Sequence, residues 1–143
     1  MMDKTVWKGK SHIVQKPWGR EIVWTAMLHV SGKILNITAG ERTSLKYHNI
    51  KDEVLYMLSG NARIIHSDCN WDKDRDNIVL KESIFSPGDY FAIQSMCLYR
   101  IEAIDDCTIF EIGNSTRSNS CVRLEDDYGR AATSNRGENE NRP

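Results

Sequence analysis

The sequence predicts an all-β fold, a sandwich or barrel, and two features carry that expectation. Short β-rich runs recur between turn signals over most of the chain, the pattern of sandwiches and barrels. Around Gly40 to Gly60 the side chains can be sorted with period two, so Lys46 and His48 fall on one strand face. By the same rule Glu53, Leu55 and Met57 share a face.

The elements follow in order. Strands are expected at residues 5–7 and 12–15, and residues 32–38 form a β-rich run that ends at the Ala39-Gly40 turn. A short strand carrying Lys46 and His48 leads through a polar elbow into a strand opening with Glu53. Residues 54–57 and 62–65 flank Ser59-Gly60-Asn61, a hairpin signal. Residues 70–77 are polar apart from Trp71 and read as a solvated hairpin tip. Their Asp72, Asp74 and Asp76 lack the glycine and the glutamate of a calcium loop. A strand is expected at 78–81. Ser86-Pro87-Gly88-Asp89 is a turn, because proline presets one dihedral and glycine supplies the next. Strands follow at 90–93, 99–103 and 108–112. Residues 122–130 read as either a short helix or an extended lid. Residues 131–143 have almost nothing to bury and are expected to be a disordered tail, leaving 1–130 as one domain.

The bulk properties exclude several classes of function. A chain of 143 residues closes a single core. Its formal charge of −1 offers no basic field for nucleic acid. Cys69, Cys97, Cys107 and Cys121 form no C-x-x-C pair, and scattered thiols without an export signal are expected to be reduced. No run approaches the ~20 apolar residues of a membrane span, and the first residues lack the apolar core of a signal peptide. The expectation is a soluble, cytoplasmic protein.

Three segments carry a family resemblance. They are K-P-W-G-R-E at 16–21, the stretch from Gly40 to Gly60, and V-R-L-E-D-D-Y-G-R at 122–130. The central one resembles the first motif of the cupin superfamily: a glycine, two alternate histidines, a glutamate and a closing glycine. All three together resemble the type II mannose-6-phosphate isomerase domain, a sugar-isomerase cupin. The resemblance selects a single-domain jelly-roll β-barrel. It also implies a small-molecule sugar or sugar phosphate as substrate and a homodimer as the assembled form. The exposed edges of the first strands agree with the last point.

The resemblance further implies a divalent metal held by four side chains, at positions that here read Lys46, His48, Glu53 and Tyr99. Only His48 and Glu53 remain as metal ligands of the usual kind, since an ammonium has no lone pair to give. His66 or Gln94 could complete the set if turned inward. Gln94 and Met96 stand where the family has the proline and glycine of a tight turn. Taken at face value, the substitutions give a metal-free site. Lys46 pairs with Glu53 and polarises a carbonyl, His48 is the base and Tyr99 the acid. The combination of histidine and tyrosine is similar to the nucleotide-sugar epimerase and ketoisomerase cupins. Lys33, Arg123 and Arg130 are candidates for binding the substrate, Arg130 bidentately through a phosphate. Trp18 either stacks on a sugar ring or plugs the barrel end. The leading expectation is a sugar or sugar-phosphate isomerase, and the alternative is a carbohydrate-binding module that kept the barrel and lost the chemistry.

Overall fold

Inward-facing side chains change character along each central strand, and that change divides the interior in two. In the computed structural model, which describes residues 4–25, 27, 29–114 and 121–132, the chain forms two antiparallel sheets. The strands in chain order are β1 (His12–Lys16), β2 (Gly19–Val23), β3 (Ser31–Ile37), β4 (Leu45–His48) and β5 (Glu53–Ser59). They continue with β6 (Ala62–Ser67), β7 (Lys81–Phe85), β8 (Tyr90–Ile93), β9 (Leu98–Ala103), β10 (Cys107–Gly113) and β11 (Cys121–Glu125). One sheet runs β1-β2-β3-β10-β5-β8 and the other β11-β4-β9-β6-β7. This is the expected jelly-roll barrel, with the two sheets packed face to face.

The register aligns Ile37 with Cys107, Leu35 with Ile109 and Met57, and Lys33 with Glu111 and Leu55. On the facing sheet Ala62, Ile64 and His66 pair with Ala103, Ile101 and Tyr99. Apolar members of these rows, with Phe85 and Trp18, form one buried cluster. Each large aliphatic side chain removed from water contributes about 1.5–3 kcal/mol. Beyond these rows the inward positions are Lys33 and Ser31 on β3, Glu111 and Gly113 on β10 and Glu53 on β5, so the other half of the interior is polar. Trp18 is buried in the apolar cluster.

The turns are built as their residues require. Gly60 joins β5 to β6 at φ 83°, and a Cβ there would lie 2.2 Å from the Asp106 carbonyl oxygen. Met96 holds φ 70° without being a glycine. Its N–H donates to the His48 carbonyl at 2.7 Å and its own carbonyl accepts from Trp71.

Several expectations are corrected. Residues 5–7 form no strand. Residues 78–80 are irregular, and the strand starts at Lys81. Residues 19–23 form a strand that was not foreseen, because Gly19 and Arg20 hide its alternation. The 122–130 segment is an extended strand followed by a turn, pairing along β4. Most of the expected tail, residues 133–143, lies outside the described residues. Among the described residues no helix is long and apolar enough to cross a membrane.

Residues 70–77 are exposed as expected, apart from Trp71, which is buried. Two 3-10 turns, Cys69–Lys73 and Arg75–Asn77, drop Trp71 onto Leu45, Tyr47 and Leu98 on the outer face of the second sheet. The Tyr47 and Trp71 rings lie 4.9 Å apart, and the indole N–H donates to Met96 at 2.6 Å. Trp71→Ala is expected to cost about 3–5 kcal/mol, measured by urea denaturation. A loss below about 1 kcal/mol would mean that the loop is not a packed part of the fold.

Candidate functional site

The polar half of the interior centres on Glu53, whose side chain is 1% exposed. Its Oε1 accepts a hydrogen bond from the Tyr99 hydroxyl at 2.8 Å and lies 3.0 Å from His48 Nε2. Its Oε2 lies 3.2 Å from Lys51 Nζ, which also stands 3.5 Å from Glu111 Oε2. Lys46 and Tyr99 are register partners on neighbouring strands, and the ammonium sits 4.7 Å from the centre of the phenol ring. His48, Glu53, Lys46 and Tyr99 therefore come together as the alternation and the motif spacing implied.

The ion pair within this group is not the expected one. Lys51, not Lys46, neutralises Glu53; Lys46 makes a cation–π contact instead. Lys51 enters from the β4–β5 loop, and Gly113 makes room for it. A Cβ on Gly113 would lie 2.4 Å from Lys51 Cε. Sequence reasoning also missed Glu111 and Glu21. Glu111 shares the inner face of β10 with Cys107 and Ile109, so a carboxylate closing an apolar inward row was the available signal.

Burial and neighbouring charge set the protonation of these groups. Burial works against the charged form of Glu53, but His48 and Lys51 outweigh it and hold the carboxyl well below its ordinary range. Glu111 goes the other way: burial, reinforced by the negative charge of Glu53, pushes it up to about 7. Burial and the same carboxylate push the Tyr99 hydroxyl well above its usual value. Burial lowers Lys46, with partial opposition from Cys121 and Glu53. In Lys51 burial also lowers, but Glu111 and Glu53 prevail and the group is raised.

A second tier of charge surrounds this centre. Lys33 Nζ lies 3.0 Å from Glu21 Oε2. Burial alone would lower Lys33, yet Glu21 and Glu111 raise it. Lys16 is lowered, first by burial, and the positive charges of Lys33, Arg130 and Arg123 add to the effect. Arg123 is buried opposite Lys46 in register and donates to the Ala131 carbonyl at 3.0 Å. Arg130 packs over the Tyr128 ring and is held by Asp126, 2.8 Å away. The closing segment is fastened to the barrel by Arg42 to Asp127 at 2.6 Å and by Tyr128 to Glu41 at 2.6 Å.

The residues present do not suit a divalent metal. Glu53 already directs one oxygen to His48 and Tyr99 and the other to Lys51. Lys46 and Lys51 add ammonium groups where a cation would need lone pairs, and the Tyr99 phenol is held protonated. His66 shares the inner face, but its Nε2 is 3.3 Å from Ser83 Oγ, and Gln94 is exposed. No cluster of three or more His, Cys, Asp or Glu suited to a metal occurs among the described residues.

The fold is shared with several solved structures. KdgF from Halomonas sp. superposes with a TM-score of 0.60 at 13% identity, over 72% of this chain and 84% of that one. The capsular polysaccharide assembling protein CapF from Staphylococcus aureus gives 0.66 at 14% identity, over 82% and 35%. Oxalate decarboxylase from Lactobacillus farciminis, in a formate complex, gives 0.66 at 17% identity, over 85% and 38%. The chain thus spans about a third of the CapF and decarboxylase chains. No protein-family model matches the sequence, and no curated protein matches it at a significant level. These likenesses establish the architecture: the chain has the cupin fold. Its site is an interior set with lysines around one carboxylate–imidazole pair.

Proposed function

We propose that this protein binds an anionic sugar, such as a sugar phosphate, in the polar half of its barrel and isomerises or epimerises it by metal-independent proton transfer. The contact that carries this is the Glu53–His48 pair at 3.0 Å, with Lys46 on the adjoining inner face. The Glu53 carboxylate orients the His48 ring through Nε2, and in its neutral form the imidazole is the base. His48 then removes the proton from the carbon beside the sugar carbonyl. The Lys46 ammonium stabilises the enediolate oxygen as charge develops, and its lowered pKa makes it a better proton donor than an exposed lysine. Lys46 passes a proton to the carbonyl oxygen and recovers one from the adjacent hydroxyl, so that return of the abstracted proton by His48 to the neighbouring carbon gives the isomer. The epimer forms when the enediolate turns over in the cavity and takes the proton back on the opposite face of the same carbon.

Tyr99 is assigned a positioning role rather than that of the acid. Its hydroxyl proton is directed at Glu53, and both burial and that carboxylate hold it in place. The preference for an anion follows from charge. Lys16, Lys33, Lys46, Lys51, Arg123 and Arg130 outnumber Glu21, Glu53, Glu111 and Asp126 around the site, and a protonated Glu111 widens the excess. Lys33, Arg123 and Arg130 are the proposed phosphate-binding groups, with Arg130 exchanging Asp126 for the ligand. The name of CapF, which ties that protein to polysaccharide assembly, agrees with a sugar ligand.

Deuterium exchange at C2 of mannose 6-phosphate and related sugar phosphates, followed by NMR, tests the chemistry. The expected result is exchange that falls about 10²–10⁴-fold in His48→Ala. Calorimetric binding of the same sugars without any exchange would reject catalysis and leave a binding module.

A further inference from the structure

All four cysteines are free thiols, and strand pairing brings Cys69 and Cys97 together. β6 and β9 run antiparallel as far as the Ser67–Leu98 pair. Cys97 directly precedes Leu98, and Cys69 follows Ser67 after one residue, so both leave the same end of the ladder side by side. There the Cys69 backbone N–H is directed at the Cys97 sulfur. The Cys69 sulfur turns about a single torsion beside that nitrogen, which is enough to carry it toward its neighbour. The two differ in access. Cys69 is exposed, whereas Cys97 is half-buried against the main apolar cluster. Burial raises the Cys97 thiol, and the neighbouring Cys69 and Asp68 add to the effect. The other cysteines are placed differently. The buried Cys107 thiol donates to the Asn61 and Asp105 carbonyls at 3.3 and 3.1 Å. Cys121 lies on β11, with β4 between it and β9. Two strand spacings, about 10 Å, exceed the ~7 Å between Cα atoms that a disulfide can span.

We propose that Cys69 and Cys97 are a hydroperoxide-reactive pair that closes to a reversible disulfide. The exposed Cys69 sulfur attacks one peroxide oxygen. The O–O bond breaks, the other oxygen leaves as an alcohol or, from hydrogen peroxide, as water, and Cys69 becomes a sulfenic acid. The Cys97 sulfur then attacks the Cys69 sulfur. The S–S bond forms, the S–O bond breaks, and the oxygen leaves as water with the Cys97 proton. Two thiols have given up two electrons and the peroxide has taken them. A small dithiol reverses the change by exchange. An accessible thiol that reacts first, beside a sheltered one that resolves it, is the arrangement such chemistry needs. The bond falls on a turn that also serves the polar interior. Met96 N–H holds the His48 carbonyl at 2.7 Å, and Ser95 N–H holds the Asp52 carboxylate at 2.8 Å. Met96 also accepts from Trp71, in the loop that Cys69 opens. The disulfide therefore adds a covalent tie between two segments that the indole already joins.

Brief treatment of the full native chain with hydrogen peroxide, followed by thiol counting and mass spectrometry of peptides, tests this. The expected result is a fall from four free thiols to two, a mass lower by two hydrogens, and a peptide pair linked through Cys69 and Cys97. Dithiothreitol should undo all of it. In Cys97→Ser the reaction should stop at a Cys69 sulfenic acid that dimedone captures. Cys69→Ser, at an exposed position, should keep its circular dichroism spectrum and lose thiols at least tenfold more slowly. Four intact thiols after an exposure that fully oxidises free glutathione would overturn the proposal. So would a disulfide through Cys107 or Cys121, a bond between two chains, or a Cys69 sulfinic acid beside an untouched Cys97.

Discussion

Lys51→Met is expected to cost about 3–5 kcal/mol of folding free energy near pH 8, because it removes one partner from a buried charge group. Lys51 is the cation shared by Glu53 and Glu111, at 3.2 and 3.5 Å. The methionine fills the space of the stem and keeps its packing, so the loss reports charge rather than volume. Without the ammonium, two carboxylates face each other in the interior, and Glu111 must hold its proton to higher pH. The penalty should therefore shrink toward pH 5, where Glu111 is already protonated. Urea denaturation at the two pH values measures it. An equal loss at both, or a loss under about 1 kcal/mol, would mean that solvent reaches this group and screens it.

Much of the site was legible because strand geometry is local. Period two placed Lys46 with His48, and Glu53 with Leu55 and Met57, and the structure has them so. The motif spacing brought Tyr99 opposite Lys46. Lys51 was not legible for the same reason: it lies in a loop, where no periodicity says which way a side chain points. Its path depends on Gly113, sixty-two positions away in the chain, lacking a Cβ. Glu111 was hidden by an equally non-local fact. Nothing in its own strand shows that β10 lies between β3 and β5, and only that position brings Glu111 to Glu53. The pairing of strands likewise revealed the meeting of Cys69 and Cys97, which stand far apart in the chain. The burial of Trp71 was not legible because its neighbours in sequence are polar, while the surface it covers comes from β4 and β9.

Glu111→Gln is expected to stabilise the protein above neutral pH and to flatten its pH profile. In the unfolded chain a glutamate titrates near 4.3; in the folded protein Glu111 is pushed up to about 7. Between those values the native state binds a proton that the unfolded state does not. Stability therefore falls as pH rises through the window and levels off above about 7. Glu53 has the opposite sign. Its folded pKa lies well below the ordinary one, so the stability it contributes is present above about 4.3 and is lost as pH falls through the folded value. Glutamine keeps the shape and a hydrogen-bond donor toward Glu53 but cannot ionise, so only the Glu111 part of the slope should disappear. Urea denaturation across pH 5 to 8 should show the variant nearly level while the wild type declines. A variant less stable than wild type at the alkaline end would show that the attraction between Lys51 and an ionised Glu111 exceeds the repulsion from Glu53. The polar interior would then work as a fixed ion-pair network. In the arrangement inferred here, its proton content instead changes near neutral pH, and the positive excess available to an anionic ligand is greatest on the acid side.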